Sequence, residues 1–138
     1  MTDREKARSA APISAGVPRR ILKARKALAD YAQRTIIRAQ CVACDGYCRF
    51  AERLTGCSGR SEWMHLGDQK RARTRGMLPA FRHTMAGSMM GCHTHHGLYD
   101  AGVLRIALGP LGANGPIRVD DGREIVLLSA RNFDRTIE

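Results

Sequence analysis

The stretch Gly91-Cys92-His93-Thr94-His95-His96-Gly97-Leu98-Tyr99-Asp100 packs four Cys or His residues into ten positions and closes on an acid. Three of the five histidines of the chain (His93, His95 and His96) and its last cysteine lie here. A chain that needed only a core has no reason to concentrate such groups. Thiolate and imidazole suit a borderline ion such as zinc, and an added carboxylate suits a harder divalent ion. The expectation is that a structural metal site and a catalytic metal site meet in this stretch.

Two ligand pairs have the two-residue spacing that lets one turn serve a tetrahedral ion: Cys41-Val-Ala-Cys44 and Cys92-His-Thr-His95. Simple geometry favours Cys41 and Cys44 as the upstream half of a zinc site. Cys48 and Cys57 lie in the same segment, and spacing alone does not choose among the four. His96 and Asp100 are four residues apart on an expected helix, so they share a face and offer an imidazole and a carboxylate to a second divalent ion. His65 sits in an expected strand followed by a stretch rich in Arg and Lys. A neutral imidazole beside a metal-bound phosphate can take a proton from water.

These groups must be positioned by short elements. Residues 1–17 lack periodicity and read as a flexible tail. Pro18 is suited to start a helix, and residues 18–40 form a basic amphipathic one. Ile21, Ala24, Leu28, Tyr31, Ala32, Thr35, Ile36 and Ala39 share one face, and Arg19, Lys23, Lys26, Asp30 and Arg34 the other. The apolar face is expected to dock; the charged face is either solvated or laid along a phosphate backbone. Residues 41–60 read as an irregular, cysteine-held segment. Strands are expected over 61–66 and 82–90, separated by a basic loop over 67–79, and a helix over 94–101. Further strands are expected over 103–108, 117–119 and 123–128, with residues 109–116 a loop because they carry three glycines and two prolines. Asp121-Gly122 is a tight-turn dipeptide, so a small antiparallel sheet should be appended to the core.

The totals narrow the class. In 138 residues only 5% are aromatic, so a small domain with a thin core needs a metal or a disulfide to be stable. Five cysteines cannot all pair internally. There is no N-terminal apolar run of signal-peptide length and no stretch of about 18 apolar residues, which excludes a membrane span and points to the cytoplasm, where thiols stay reduced. The net charge of +10 points to a polyanionic partner.

Cys57-Ser-Gly-Arg-Ser-Glu-Trp-Met-His65-Leu, followed by Ser88-Met-Met-Gly-Cys92-His-Thr-His95-His96-Gly-Leu-Tyr-Asp100, resembles the HNH nuclease family, most closely its compact phage and mobile-element members. The resemblance covers residues 41–108, about half the chain. It implies an α+β fold with a small ββα-metal, treble-clef-like core and a zinc knuckle, flanked by the N-terminal basic helix and, over 109–138, by a C-terminal loop and β-hairpin. It implies that His65 is the general base, that His96 binds the catalytic ion, and that Asp100 occupies the position of a further ligand. Cys92 and His95 match the helix-side half of the structural zinc knuckle, and in this subgroup the upstream half would be Cys41 and Cys57. Two positions depart from the pattern. Met64 stands where a metal-binding Asp or His often precedes the base. The central Asn falls near Gly87 or Ser88, where Ser88 offers a substitute hydrogen bond to brace the loop and orient the base. His83 or Asp68 are candidates for a missing metal ligand. The activity implied is metal-assisted hydrolysis of DNA phosphodiester bonds, using a structural Zn2+ and a catalytic Mg2+, Mn2+, Ni2+ or Zn2+. Lys70, Arg71, Arg73, Arg75 and Arg82 would grip the phosphates. The partners implied are DNA and a phage or mobile-element protein.

Overall fold

The computed structural model describes residues 16–66, the backbone of 74–75, and residues 83–134. Its internal contacts divide the chain into two units, Met1–Thr35 and Ile36–Glu138.

Helix α1 spans Arg19–Asp45. Its start follows from Pro18, whose carbonyl accepts from Ile21 and Leu22. Its stop follows from Gly46, which takes φ 72° and donates to the Val42 carbonyl, a left-handed ending that costs glycine little. The helix therefore runs through Cys41 and Cys44, where the sequence reading had an irregular segment; the ligand-like spacing there is a helical spacing. The expected docking stripe is not buried: Leu28, Tyr31 and Ile36 are 70%, 64% and 58% exposed, and the buried residues of α1 are Cys41 and Cys44.

The second unit continues with a 3-10 turn over Arg49–Glu52, then strand β1 (Ser61–His65), β2 (Thr74–Arg75), β3 (Ser88–Cys92), helix α2 (His93–Asp100), β4 (Arg105–Gly109), β5 (Gly112–Asp120) and β6 (Ile125–Leu128). β1 and β3 form an antiparallel pair with Ser61 opposite Cys92 and His65 opposite Ser88. β3 begins later than expected, because residues 84–88 close a turn through Thr84: its carbonyl accepts from Gly87 N–H and from the Ser88 hydroxyl. β3 then runs without a break into α2. The second sheet has the order β2-β4-β5-β6, with β2 parallel to β4 and the other pairs antiparallel.

Asp121-Gly122 makes the expected turn between β5 and β6, with Gly122 at φ 88° and the Asp121 carboxylate accepting from Arg123 and Glu124 N–H. Residues 112–116 are not a loop. They belong to β5, with a register shift opposite Leu108 and Gly109. Their backbone groups find partners elsewhere: Ala113 N–H donates to Ala86, Arg131 N–H to Asn114, and the Arg49 guanidinium to Ala113 and Gly115. That is how a proline- and glycine-rich segment stays ordered without ladder bonds.

One apolar cluster joins the two sheets. It holds Phe50, Leu54, Met64, Leu66, Met89, Tyr99, Leu104, Ile106, Ile117, Val119 and Leu128, and it runs into Cys48 and Cys92. Among the described residues no helix is long and apolar enough to cross a membrane.

Candidate metal centre

Four side chains from four segments converge at the start of α2. Cys48 precedes the 3-10 turn, Cys57 lies in the connection to β1, Cys92 ends β3 and His95 sits in the first turn of α2. Their ligand atoms all lie within 4.8 Å of one another. The His95 Nδ1 atom is 3.6 Å from Cys48 Sγ, 3.5 Å from Cys57 Sγ and 3.2 Å from Cys92 Sγ. Sulfur and nitrogen ligands of a tetrahedral zinc, at about 2.3 and 2.0 Å from the ion, stand about 3.5 Å apart, so this group has the dimensions of a Cys3His zinc site.

The surroundings prepare it for an ion. His95 Nε2 lies 3.1 Å from the Thr55 carbonyl, an acceptor that requires the proton on Nε2 and leaves the Nδ1 lone pair directed at the three thiols. Cys92 caps α2, its sulfur accepting from His95 N–H at 3.4 Å. His93 N–H donates to Arg60 and Thr94 N–H to Ser58, tying the helix start to the Cys57 turn. That turn needs Gly59, which takes φ 80° and would put a Cβ 2.6 Å from His93 Cβ.

Without a cation the three thiols oppose each other's ionisation. Burial first, and then the neighbouring Cys48 and Cys92, push the Cys57 thiol up to about 12. Burial likewise raises Cys48. Cys92 is lowered: burial acts upward, but N–H donors of His95 and Ser58 and hydrogen bonds from the other thiols outweigh it. A divalent cation removes this conflict by holding all three as thiolates.

Of the expected zinc ligands, the structure brings Cys57, Cys92 and His95 together and joins Cys48 to them. Cys41 and Cys44 stand apart. Cys41 Sγ is buried against Met85 Sδ at 3.6 Å and the Ser88 hydroxyl at 3.5 Å. The correction has a plain cause: α1 continues through both residues, so they face its packed side rather than the Cys92 turn. Cys48 was legible as a member of the cysteine segment but had no spacing signal of its own. The signal that finds it is Gly46, which ends the helix and frees the chain to turn Cys48 inward.

A second group lies beside the first on α2. His96 Nδ1 is 3.0 Å from Glu62 Oε1, and His96 Nε2 is 3.5 Å from Asp100 Oδ2. Glu62 Oε2 also holds Arg60 Nε at 3.0 Å and His93 Nδ1 at 3.2 Å. The Arg60 bond first, and then those of His93 and His96, hold the Glu62 carboxyl down at about 2. Sequence reasoning assigned His96 and Asp100 and left His93 without a role. It missed Glu62, which nothing but strand alternation could have aimed at α2.

His65 ends β1. Alternation puts Glu62 and Met64 on one face of the strand and Trp63 and His65 on the other. The His65 ring packs on Trp63 at 4.4 Å and meets His83 edge-on at 4.7 Å between centroids. His83 is thus placed beside His65. Ser88 lies opposite His65 in the strand pair, fully buried, with its hydroxyl donating to the Thr84 carbonyl at 2.6 Å. Met64 is fully buried in the apolar cluster, and its sulfur packs on Gly91, where an added Cβ would sit 2.3 Å from it. Asp68, Lys70, Arg71, Arg73 and Arg82 lie outside the described residues, as does the side chain of Arg75. Compared with protein-family models, curated proteins and solved structures, the chain finds no match in any of the three, so its reading rests on the geometry above.

Proposed function

We propose that the protein is a zinc-stabilised, metal-dependent endonuclease of the HNH type that hydrolyses DNA phosphodiester bonds. The observation that carries the proposal is the Cys48, Cys57, Cys92, His95 cluster at the junction of a paired-strand unit and a helix, with His96 and Asp100 on that helix; His65 lies on the face of the first strand opposite Glu62. The net charge of +10 supports a polyanionic substrate.

In this reading zinc is held by the three cysteines and His95 and serves the fold. His96 and Asp100 would hold a second divalent cation, which when bound supplies Lewis acidity to a phosphate oxygen. His65 takes the proton of the attacking water, and the packing of Trp63 and His83 on its ring limits the orientations open to it. Ser88 fixes the start of the strand opposite His65. The arginines of the 67–82 segment would hold the phosphates on either side of the scissile bond.

The test is plasmid nicking by the zinc-loaded protein with Mg2+, Mn2+ or Ni2+. The expected result is cleavage with at least one of these ions, and a fall of about 100-fold or more in His65→Ala with zinc content unchanged. Absence of nicking with every ion tried would sink the proposal.

The burial of Met64 favours a second reading, a zinc-stabilised DNA-binding module that has lost cleavage. A thioether packed in the core offers no ligand to a hard cation. This reading expects salt-sensitive DNA binding with one bound zinc per chain and no second ion site.

A further inference from the structure

We propose that Glu62 is the positioning residue of the His96/Asp100 pair: it accepts a hydrogen bond from His96 Nδ1–H and thereby directs an unprotonated Nε2, with the Asp100 carboxylate, at a single divalent cation. The inference rests on the nuclease reading for the role of that cation, but not for its geometry.

The argument is one of donors and acceptors. An ionised glutamate only accepts hydrogen bonds. Glu62 Oε1 stands 3.0 Å from His96 Nδ1, so that contact requires the proton on Nδ1. In a neutral imidazole the other nitrogen then carries a lone pair. That nitrogen stands 3.5 Å from Asp100 Oδ2. Two acceptors facing each other across this distance repel unless a cation lies between them. Two ligands each about 2.1 Å from one ion stand about 3.0–3.5 Å apart, which matches. A carboxylate behind a metal-binding histidine is also the arrangement that fixes the ring and raises its basicity.

Glu62 is itself held. Its second oxygen accepts from Arg60 and lies against His93, so the carboxylate cannot swing away from His96 without losing both. This gives His93 a part as well, as a brace on the positioning residue. Asp100 is 59% exposed on its side chain, which leaves the open side of the pair to water or a phosphate. Glu62 and Met64 share a face of β1, so the carboxylate reaches α2 from the same side of the strand as the buried thioether.

The experiment uses the full chain loaded with zinc. Ring 15N–1H correlation spectra report the His96 tautomer, and Mn2+ titration followed by electron paramagnetic resonance reports the second ion. The expected result is an Nδ1–H tautomer of His96, Mn2+ binding abolished in His96→Ala, and Mn2+ affinity about 10–100-fold weaker in Glu62→Ala. Glu62→Gln, which still accepts from Nδ1–H but lacks charge, should keep the tautomer and lose less affinity. Zinc content and melting temperature of both Glu62 variants should match the parent protein, separating positioning from folding. An Nε2–H tautomer, or an imidazolium protonated on both nitrogens and bridging the two carboxylates, overturns the proposal. So does Mn2+ affinity in Glu62→Ala equal to the parent while His96→Ala loses it, an outcome that leaves the nuclease reading standing. Failure of the parent protein to bind Mn2+ overturns the ion site proposed here, while nicking with Mg2+ or Ni2+ decides the nuclease reading separately. The expected Mn2+ pattern without any DNA cleavage upholds Glu62 and removes the nuclease reading.

Discussion

Cys44 and Cys48 are four residues apart and have opposite fates. Cys44 ends its run on the packed side of α1, and Cys48, beyond the helix stop, is drawn into the Cys3His group. Cys48→Ser should therefore lose stoichiometric zinc and lower the melting temperature, whereas Cys44→Ser should keep one zinc per chain; metal analysis and thermal melts separate the two. The thiols also set a pH dependence of opposite sign in the two forms. In the metal-free protein Cys57 keeps its proton up to about 12, while an ordinary thiol titrates near 9.0. The folded state then binds a proton that the unfolded chain gives up, so the contribution of Cys57 to stability is complete below about pH 9 and fades as the pH rises towards 12. Cys92, which is lowered, works against this trend. In the zinc form the thiolates must be reprotonated before the ion leaves, so stability falls as the pH falls. Chelator-treated and zinc-loaded melts across pH should tilt in opposite directions. With Cys48 and Cys57 both raised, zinc uptake near pH 7 should release at least two protons, measurable by calorimetry in buffers of different ionisation enthalpy.

At the scale of elements, the end of α1 is locked to the rest of its unit by one buried ion pair. Arg131 lies near the C-terminus, beyond β6, and its side chain is fully buried, with Asp45 beside it at 1% exposure. Its Nε and Nη2 grip both Asp45 oxygens at 2.8 and 3.0 Å, and its remaining donors reach the Met85 and Ser88 carbonyls and the Asn114 amide oxygen. Asp45 in turn accepts from Met90 N–H in β3 at 3.0 Å. Such a pair is costly to bury and more costly to break, since the survivor is left charged in the core. Arg131→Ala or Asp45→Ala should each cost about 3–5 kcal/mol in denaturant unfolding, and the double variant clearly less than their sum. The strand pair has its own tight point at Gly91, where a methyl group meets the Met64 sulfur at 2.3 Å and a Phe50 ring carbon at 3.3 Å. Gly91→Ala should destabilise by about 1–3 kcal/mol, with partial relief in a Gly91→Ala, Met64→Ala double variant.

For the whole molecule, charge and metal are the two global terms. The seven Arg and Lys residues of α1 before Cys41, all largely exposed, contribute to the net +10. Binding to duplex DNA should therefore weaken steeply with salt, with a log–log slope of about −0.9 per phosphate contacted, and charge-reversing Arg34 and Arg38 should flatten that slope. Fluorescence anisotropy across a salt series checks this. A zinc ion held by the Cys3His group would act on the second unit, where that group is continuous with the apolar cluster through Cys48 and Cys92. Removing such an ion would uncouple the 3-10 turn, the Cys57 turn and α2 at once. A strong chelator should lower the melting temperature of this unit markedly, since the ion's binding energy is lost from folding.

Read by itself, the chain determines its local elements and its ligand inventory. Pro18 starts a helix, Asp121-Gly122 makes a hairpin turn, and the strand that holds His65 and the helix after Cys92 are legible as local elements. Cys92 and His95 are legible as partners in one Cys/His cluster because they are close in sequence, and proximity along a strand–helix junction fixes proximity in space. What only the tertiary structure decided depends on chain reversals of uncertain direction. Which two of four upstream cysteines reach Cys92 turned on where α1 stops. Glu62 joined His96 because β1 pairs with β3 in a register that sets it opposite Gly91, next to the start of α2. Residues 112–116 became strand because Arg49, Ala86 and Arg131 satisfy their backbone from distant positions. In each case the deciding term is a contact between residues dozens of positions apart, and neither propensity nor spacing carries that information.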